Sequence, residues 1–377
     1  MAGRLKVAFD VAQTCVERAG CSWYADSLAG ALAEEAKVDL QLLHHFGSWC
    51  NTSTENGTRI EGVPSPLQGM GEDDARRFWK KVETEGFPGG ADVVHSNCFD
   101  APAIPGSKLV FTIYDTSFWA HPAFATDATR IVCQRGVLDA LDRAAGLVFI
   151  SGASRDDFEE ALPGWLEQSR RPHEILHGAS RFPDAIRAES TTDAPWLCIG
   201  SIEPRKNHAT LLRAYVEYRK SVSEPRRLII AGSRGWNSEP VHERMAALGP
   251  ERGVEYVGYV SEDRIRRFYM ESFCLICPSW YEGFGLPVVE AFAFGLPVIC
   301  SDIPSLREVG GPAPRYFPVS DAAALASVMK QMHLQNDIMK DASRLSAARH
   351  NLFSWQNTAR TAFAFYKKLT ESPRVAS

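Results

Sequence analysis

The segment Tyr281-Glu282-Gly283-Phe284-Gly285-Leu286-Pro287-Val288-Val289-Glu290 places two carboxylates around a glycine-containing turn that leads into an apolar run. Gly283 and Gly285 lie on either side of one aromatic residue, so the backbone can turn tightly and bring its N–H groups close to a ligand. Pro287 suits the first turn of a helix, which we expect to continue through Phe292. The first N–H groups of a helix, together with its dipole, favour a phosphate group. The segment therefore predicts an anion-binding turn.

The two acids of this segment flank the predicted phosphate site. Glu282 precedes the turn, and Glu290 follows it about one helical turn inside the helix. A carboxylate beside a phosphate is unfavourable unless it accepts hydrogen bonds from another group, and sugar hydroxyls are suitable donors. The alternative is a plain strand-to-helix turn with Glu282 in solvent and Glu290 at the helix start. Short glycine motifs also arise by chance, so the choice between these two interpretations depends on other segments of the chain.

The bulk properties limit the classes of protein to consider. The chain has 377 residues, 45% of them hydrophobic and 23% charged, which is ordinary for a globular protein but long for a single core. A net charge of -5 argues against a nucleic-acid-binding protein. Nine scattered cysteines favour reduced thiols, and no signal peptide or membrane-spanning run is evident. We expect a cytoplasmic protein.

Short apolar runs alternate with helical patterns, which indicates parallel sheets covered on both faces by helices. The runs are residues 5–9, 38–43, 93–94, 109–113 and 147–150, then 196–199, 228–231, 256–257, 274–277 and 298–300. Two such sets predict an α/β protein of two doubly wound, Rossmann-like domains facing each other across a cleft. Polar, proline-containing sequence at 168–172 and 182–195 indicates the junction.

The predicted domains cover residues 1–178 and 179–354. The final stretch is amphipathic at helical spacing between Trp355 and Leu369. We expect residues 355–377 to contain a helix that packs back on the first domain.

A second polar segment supports the phosphate interpretation. Gly200-Ser201-Ile202-Glu203-Pro204-Arg205-Lys206-Asn207 follows the run 196–199 and precedes a helix beginning near His208. Arg205 and Lys206 leave the end of a strand together and can neutralise a diphosphate. Ligands of open α/β sheets bind at the carboxyl ends of the strands, so we expect these cations beside the Glu282 to Glu290 turn.

Other motifs carry weaker signals. Cys274-Leu275-Ile276-Cys277 has the spacing of a redox or zinc pair, but it lies in a predicted buried strand without a second ligand pair. The histidines are dispersed, so we expect no metal and no cofactor apart from the substrate. Ala75-Arg76-Arg77-Phe78-Trp79-Lys80-Lys81 combines bases with aromatics. A solvated helix face is the favoured interpretation, and contact with an anionic lipid surface is the alternative.

The second half of the chain resembles the retaining glycosyltransferases of the GT-B fold, in the large group 1 family that contains bacterial mannosyltransferases and sucrose synthase. The matching segments are residues 200–207, Val257-Gly258-Tyr259-Val260, 278–287, Glu290-Ala291 and Gly295-Leu296-Pro297-Val298. Two acids separated by seven residues are a specific feature of this family. Asp10, Gly20 and a helix from Ser22 to Leu32 resemble its first domain more weakly.

The resemblance implies a role for each matching residue. Arg205 and Lys206 would bind the donor diphosphate, Glu282 would contact the hydroxyls of the transferred sugar, and Glu290 would hold the ribose. Residues 179–354 would then bind the nucleotide-sugar, and residues 1–178 the acceptor. The implied catalytic residues are Glu282, Arg205 and Lys206. The implied donor-binding residues are Gly20, Arg205, Lys206, Gly258, Tyr259, Glu282, Gly283, Phe284, Gly285, Leu286 and Glu290.

One position departs from the family. Many relatives carry His-Asp where this chain has Tyr114-Asp115, after the run 109–113. The histidine is thought to lie beside the reacting sugar, which makes Tyr114 and Asp115 candidates for the acceptor side. A tyrosine can hydrogen-bond a sugar hydroxyl or pack on its ring, and a core tyrosine is the alternative.

The resemblance implies a retaining, metal-independent hexosyltransferase acting in cell-surface polysaccharide synthesis. Mannose from GDP-mannose is the first expectation, and a UDP-hexose is the alternative donor. The acceptor would be a glycan or a lipid-linked glycan, met at the inner face of the cell membrane. A sugar-nucleotide epimerase of similar fold is the competing interpretation, since it would bind the same donor. An oxidoreductase is disfavoured because no Gly-x-Gly-x-x-Gly turn follows the first strand.

Overall fold

The structure is a computed structural model that describes residues 3–15, 18–45, 57–97, 100–182, 185 and 193–371. The chain divides into two compact units. The first unit comprises Met1–Pro122, Asp127–Gly178 and Ser354–Ser377, and the second comprises Ala123–Thr126 and Ala179–Phe353. Each unit is built around a parallel sheet of six strands with helices packed against it.

The first unit has the sheet order β2-β1-β3-β4-β5-β6. Its strands are β1 (Leu5–Asp10), β2 (Val38–Leu43), β3 (Val93–Ser96), β4 (Lys108–Ile113), β5 (Gly146–Phe149) and β6 (His173–Ile175). Its helices up to the second unit are α1 (Gly20–Glu34), α2 (Glu72–Glu85), α3 (Ser117–Ala120), α4 (Asp127–Arg143), α5 (Gly152–Ala161) and α6 (Trp165–Ser169). The order reverses between β1 and β3, so the ends of these two strands form the switch point of the sheet.

The second unit has the sheet order β12-β11-β10-β7-β8-β9. Its strands are β7 (Trp196–Ile199), β8 (Leu228–Ala231), β9 (Val254–Gly258), β10 (Cys274–Cys277), β11 (Val298–Ser301) and β12 (Arg315–Phe317). Its helices are α7 (His208–Lys220), α8 (Glu239–Leu248), α9 (Glu262–Glu271), α10 (Leu286–Ala293), α11 (Pro304–Gly310), α12 (Ala322–Leu334) and α13 (Asn336–His350). The final helix, α14 (Trp355–Glu371), belongs to the first unit.

The central strands are buried on both faces because helices cover both sides of each sheet. All four residues of β8, β10 and β11 are buried, which is why continuous apolar runs identified them in the sequence. Trp196 of β7 is fully buried and packs edge-on against Tyr218 and Phe273, with ring centroids 5.5 and 4.9 Å apart. These contacts fix β7 at the centre of the second unit.

The structure differs from the sequence interpretation mainly at the sheet edges. The outer strands β6 and β12 have only three residues each and gave no apolar run long enough to recognise. Residues 168–172, taken as part of the junction, instead form the end of α6 and its connection to β6 inside the first unit. In the same unit, α14 packs on α1, and Thr358 Oγ1 donates a hydrogen bond of 2.8 Å to the carbonyl of His177. Residues 372–377 lie outside the described part of the chain.

Candidate active site

The loops after β7 and β10 lie side by side in the second unit because these two strands are neighbours and the sheet order reverses between them. This switch point is where doubly wound sheets bind ligands. The amide of Trp280 donates to the carbonyl of Arg205 at 2.8 Å. The side chain of Asn207 donates to the carbonyl of Pro278 at 2.9 Å. The two loops therefore form one connected structure.

Glu282 is the centre of a buried charged cluster and is 7% exposed. Its Oε1 accepts hydrogen bonds from Lys206 Nζ at 2.7 Å and Ser279 Oγ at 2.6 Å, and its Oε2 accepts from Arg205 Nη1 at 3.1 Å. Burial alone raises the pKa of a carboxyl, but the nearby Lys206 and Arg205 charges outweigh it and lower the pKa of Glu282 to about 2. Glu282 is therefore ionised at neutral pH.

The two cations have different surroundings. Arg205 Nε and Nη2 contact Glu203 Oε1 at 2.9 and 2.7 Å, and its Nη1 contacts both Glu282 and the carbonyl of Tyr281. Lys206 Nζ contacts Glu282 alone among the contacts of the described residues. An ammonium group carries three donors, so two remain for a ligand. Arg205 thus serves to hold the carboxylates, and Lys206 is the better placed of the two to bind a phosphate.

The turn between Glu282 and α10 depends on glycine. Gly285 precedes the first residue of the helix, Leu286, and has φ +111°, which L side chains rarely adopt. A Cβ at this position would lie 2.7 Å from Cδ2 of Leu306, a fully buried side chain. Phe284 is buried and packs edge-on against Phe353, with ring centroids 5.9 Å apart. The packing of the Phe284 ring therefore holds the turn in place.

Replacing Gly285 with alanine is expected to destabilise the protein by about 2–4 kcal/mol, because it adds a strained φ to a clash in a packed core. The free energy of unfolding from denaturant titration measures this effect. Gly249→Ala is the matched control, since Gly249 has φ +59° but meets only an ordinary contact at 3.5 Å. A Gly285→Ala loss no larger than that of the control would contradict the packing account.

Glu290 lies on α10, is 4% exposed and has two partners. Its Oε2 accepts a hydrogen bond from Tyr269 Oη at 2.7 Å, and its Oε1 lies 3.2 Å from Nε of Arg181. Burial raises the pKa of Glu290, and the Arg181 charge and the Tyr269 hydrogen bond oppose this rise. The second acid is therefore held by side chains that the sequence pattern did not indicate.

The segment at the end of β9 is also brought to the carboxyl edge of this sheet. Gly258 has φ +68°, and its carbonyl accepts a hydrogen bond from the amide of Gly232 at 2.9 Å. Tyr259 follows the strand and is 51% exposed, so its ring is accessible to a ligand. Gly232 itself tolerates no side chain, because a Cβ would lie 1.9 Å from the carbonyl oxygen of Gly200. The strand ends of β7, β8 and β9 are therefore packed backbone against backbone.

In the first unit, the predicted acceptor-side residues have structural contacts. Tyr114 is 3% exposed, accepts a hydrogen bond of 2.9 Å from Gln13 Nε2 and packs edge-on against Tyr24. Asp115 Oδ1 accepts from the amide and the hydroxyl of Ser117 at 2.9 and 2.7 Å, at the start of α3. Tyr114 therefore has the burial and contacts of a core tyrosine, and its acceptor-side role stays a prediction. Gly20, an implied donor-binding residue, is the first residue of α1.

Asp10 ends β1 at the switch point of the first unit and is 1% exposed. Its Oδ1 accepts from the amides of Ala12 and His45 at 3.0 and 3.1 Å, whereas Oδ2 has no hydrogen-bond partner in the described part of the chain. Burial is the main reason that the pKa of this carboxyl is raised from 3.8 to about 7. The sequence matched Asp10 to the family's first strand but assigned it no role.

This raised pKa makes a prediction for stability. The folded state binds the Asp10 proton more tightly than the unfolded chain, so the contribution is complete below pH 3.8 and is lost as the pH rises towards about 7. Between pH 5 and pH 8, wild type is expected to lose about 3 kcal/mol of unfolding free energy that Asp10→Asn does not lose. Denaturant titrations at both pH values measure it. Asp302→Asn is the control and should keep the wild-type loss between pH 5 and pH 8, because the hydrogen bond from Arg307 lowers the pKa of Asp302 instead of raising it. Equal pH dependence in wild type and Asp10→Asn would contradict the prediction.

The cysteine pair with redox or zinc spacing is part of the core of the second unit. Cys274 and Cys277 are buried in β10, and burial raises the pKa of Cys277 to about 11, as expected for core thiols. The described residues contain no group of three histidine, cysteine or acidic side chains arranged to hold a metal ion. Among the same residues, every helix is too short or too polar to cross a membrane.

Four contacts of the site escaped the sequence interpretation. Glu203 and Ser279 hold Arg205 and Glu282, and Arg181 and Tyr269 hold Glu290. Glu203 lies two residues before Arg205, and this spacing was a usable signal. The other three are ordinary residues of loops and helices, and only the fold brings them to the acids.

Comparison with known proteins identifies the class. The fold matches that of a sucrose-phosphate synthase from Thermosynechococcus elongatus, with a TM-score of 0.71 and 19% identity over 97% of this chain and 99% of that one. It also matches WaaG, a glycosyltransferase involved in lipopolysaccharide biosynthesis, with a TM-score of 0.67 and 15% identity over 97% and 100% of the two chains. The predicted GT-B fold class is confirmed.

Sequence comparison gives the family. The family model for glycosyl transferases group 1 matches residues 184–349. An O-antigen chain mannosyltransferase B from Escherichia coli is 35% identical over 276 residues, which are 70% of this chain and 71% of the relative. The chain belongs to the glycosyl transferases group 1 family. It is a glycosyltransferase, and the comparisons favour this activity over that of an epimerase.

Proposed function

We propose that this enzyme transfers mannose from GDP-mannose, with retention of configuration, to a saccharide or lipid-linked saccharide in cell-surface polysaccharide synthesis. The observation that carries the donor site is the cluster of Glu282, Lys206 and Arg205 at the switch point of the second unit. The choice of mannose is supported by the similarity to an O-antigen chain mannosyltransferase. A UDP-hexose is the alternative donor.

In this proposal the second unit binds the donor. Lys206 binds the diphosphate together with the backbone of the Gly283 to Leu286 turn, and Arg205 supports it by holding the carboxylates. Glu282 accepts three hydrogen bonds from protein, and an ionised carboxylate has about four acceptor sites, so one remains for a sugar hydroxyl. Glu290 holds the ribose, and Gly258 and Tyr259 meet the base.

The chemistry follows from the charge that develops on the leaving group. As the bond between the anomeric carbon and the diphosphate breaks, negative charge grows on the phosphate oxygen, and Lys206 stabilises the transition state more than the bound donor. The acceptor hydroxyl attacks from the face that the diphosphate leaves, and the departing phosphate takes its proton. The scheme needs no protein nucleophile, and side-chain and backbone donors serve the leaving group without a metal.

The acceptor side and the cellular location are separate parts of the proposal. Tyr114, Asp115 and Gly20 of the first unit keep their proposed acceptor-side and donor-side roles as predictions, although Tyr114 has core contacts. We further propose that the enzyme works in the cytoplasm, at the inner face of the membrane. Helix α2 offers little support for direct lipid contact, because its Trp79 is buried and donates to the carbonyl of His44 at 2.9 Å.

The test is an assay of nucleoside diphosphate release from GDP-mannose, UDP-glucose and UDP-galactose, with and without a lipid-linked saccharide. We expect release from GDP-mannose that depends on the acceptor, an axial mannosyl linkage by NMR, and full activity in the presence of EDTA. Acceptor-dependent release from a UDP-hexose alone would transfer the proposal to the alternative donor. Formation of an epimeric sugar nucleotide without acceptor would contradict it, and loss of all activity in EDTA would contradict metal independence.

A further inference from the structure

Both carboxylate oxygens of Glu290, the second acid of the site, contact side chains from other parts of the chain. Glu290 is 4% exposed, and each of its two carboxylate oxygens has a protein partner. Tyr269 Oη, from α9, donates to Oε2 at 2.7 Å, and Arg181 Nε lies 3.2 Å from Oε1. Neither partner lies near Glu290 in sequence, so the carboxylate is positioned by the tertiary structure.

The two partners are themselves fixed. Tyr269 is fully buried, and its ring stacks on Phe294 with the centroids 5.4 Å apart and the planes 16° apart. The guanidinium of Arg181 lies over the ring of Phe182, 5.0 Å from its centroid, and Phe182 packs against both Tyr269 and Phe294. This aromatic cluster of Phe182, Tyr269 and Phe294 therefore sets the positions of both groups that contact Glu290.

Such an arrangement has a chemical consequence. A carboxylate that loses its hydration on burial stays charged only if it is paired and hydrogen-bonded, and Arg181 and Tyr269 supply both conditions. An ionised carboxylate accepts about four hydrogen bonds, so two acceptor sites remain after these two contacts. Two neighbouring hydroxyl groups, such as those of a ribose, can donate to them.

We propose that Arg181 and Tyr269 are positioning residues for nucleotide recognition, which hold the Glu290 carboxylate so that it accepts hydrogen bonds from the ribose hydroxyls of the donor. This inference rests on the proposed function, in which Glu290 holds the ribose. Arg181 follows Ala179, where the second unit begins its continuous stretch. Arg181 is thus supplied by the first residues of this stretch.

The test measures how strongly the enzyme distinguishes a ribonucleotide from its deoxy form. Isothermal titration of full-length wild type with GDP, UDP and their 2′-deoxy forms gives a ratio of dissociation constants. We expect a ratio of about 10 to 100 for the preferred base, as for a hydrogen bond to a charged group. Arg181→Gln and Tyr269→Phe are expected to reduce this ratio to below about 3, and Arg181→Lys to retain most of it because it keeps the charge.

Matched controls come from the amino ends of the strands in the same sheet, because the candidate site lies at the carboxyl ends. The hydroxyl of Tyr215 donates to the carbonyls of Arg226 and Gly253, and Arg226 Nη1 donates to the carbonyl of Ala194. These three carbonyls lie just before the first residues of β8, β9 and β7, respectively. Tyr215→Phe and Arg226→Gln are expected to keep the wild-type ratio. In an Glu290→Gln background, Tyr269→Phe is expected to change the ratio no further, because it acts through Glu290.

The outcomes separate the inference from the function on which it rests. Reduced ratios in Arg181→Gln and Tyr269→Phe, with the controls unchanged, support the inference. A wild-type ratio in either variant overturns it while leaving the proposed function in place. If wild type binds neither GDP nor UDP, the proposed function fails and this inference fails with it. Should Arg181→Gln not fold, as judged by thermal unfolding, Tyr269→Phe decides, because it keeps the ring and its packing.

Discussion

Replacement of Lys206 with alanine is expected to lower kcat/KM for the donor by about 100- to 1000-fold, most of it in kcat. The ammonium group is 2.7 Å from Glu282 Oε1, and its side chain is 14% exposed, so it acts where water screens charge poorly. It has two donors left for the diphosphate, and the charge it meets grows as the glycosidic bond breaks. Steady-state kinetics with saturating acceptor measure the effect.

The control for Lys206→Ala is Lys220→Ala. Lys220 lies in the same unit at the end of α7 and makes an exposed pair with Glu217 at 2.9 Å, so its loss should leave kcat/KM unchanged. Lys206→Arg should recover only part of the activity, because a planar guanidinium does not reproduce the position of an ammonium. Full activity in Lys206→Ala would show that the leaving group is stabilised elsewhere.

Replacement of Glu282 with glutamine is expected to lower the free energy of unfolding by about 3–5 kcal/mol at pH 7, as well as activity. The change removes the carboxylate that Lys206 and Arg205 share, although their side chains are only 14% and 18% exposed and Arg205 alone keeps its pair with Glu203. Because the pKa of Glu282 is held at about 2, its contribution is complete above the unfolded value of 4.5 and is lost as the pH falls through about 2. Denaturant titration at pH 7 measures the loss.

A double variant separates stability from catalysis at this position. Glu282→Gln with Lys206→Met removes both charges and should recover part of the stability but none of the activity. Glu217→Gln is the control for removing a carboxylate from an exposed pair, and it should cost less than about 1 kcal/mol. A loss for Glu282→Gln as small as that of the control would contradict a buried ion cluster.

The sequence predicted the parts of the fold that depend on local pattern. Continuous apolar runs identified β8, β10 and β11 because helices bury them on both faces. The three-residue edge strands β6 and β12 are held by pairing with a neighbour and not by an apolar pattern of their own. Their identification therefore needs the tertiary structure.

The candidate site shows the same division. The carboxyl ends of neighbouring strands meet at one edge, so Arg205 and Lys206 could be placed near Glu282 from the sequence alone. Spacing does not show which donor faces which acceptor. The sequence therefore predicted the same role for Arg205 and Lys206, although Arg205 donates hydrogen bonds to Glu203 and to the carbonyl of Tyr281. Burial is also invisible in a short motif, which is why the surroundings of Tyr114 had to come from the structure.

Donor binding at the switch point of the second unit is tested by a crystal structure of the enzyme with GDP, or with UDP if UDP binds more tightly. We expect the diphosphate to lie against the turn from Gly283 to Leu286, with Lys206 Nζ within hydrogen-bond distance of a phosphate oxygen and the ribose hydroxyls hydrogen-bonded to Glu290. A diphosphate bound away from the carboxyl ends of β7 and β10, with Lys206 still paired only to Glu282, would contradict it.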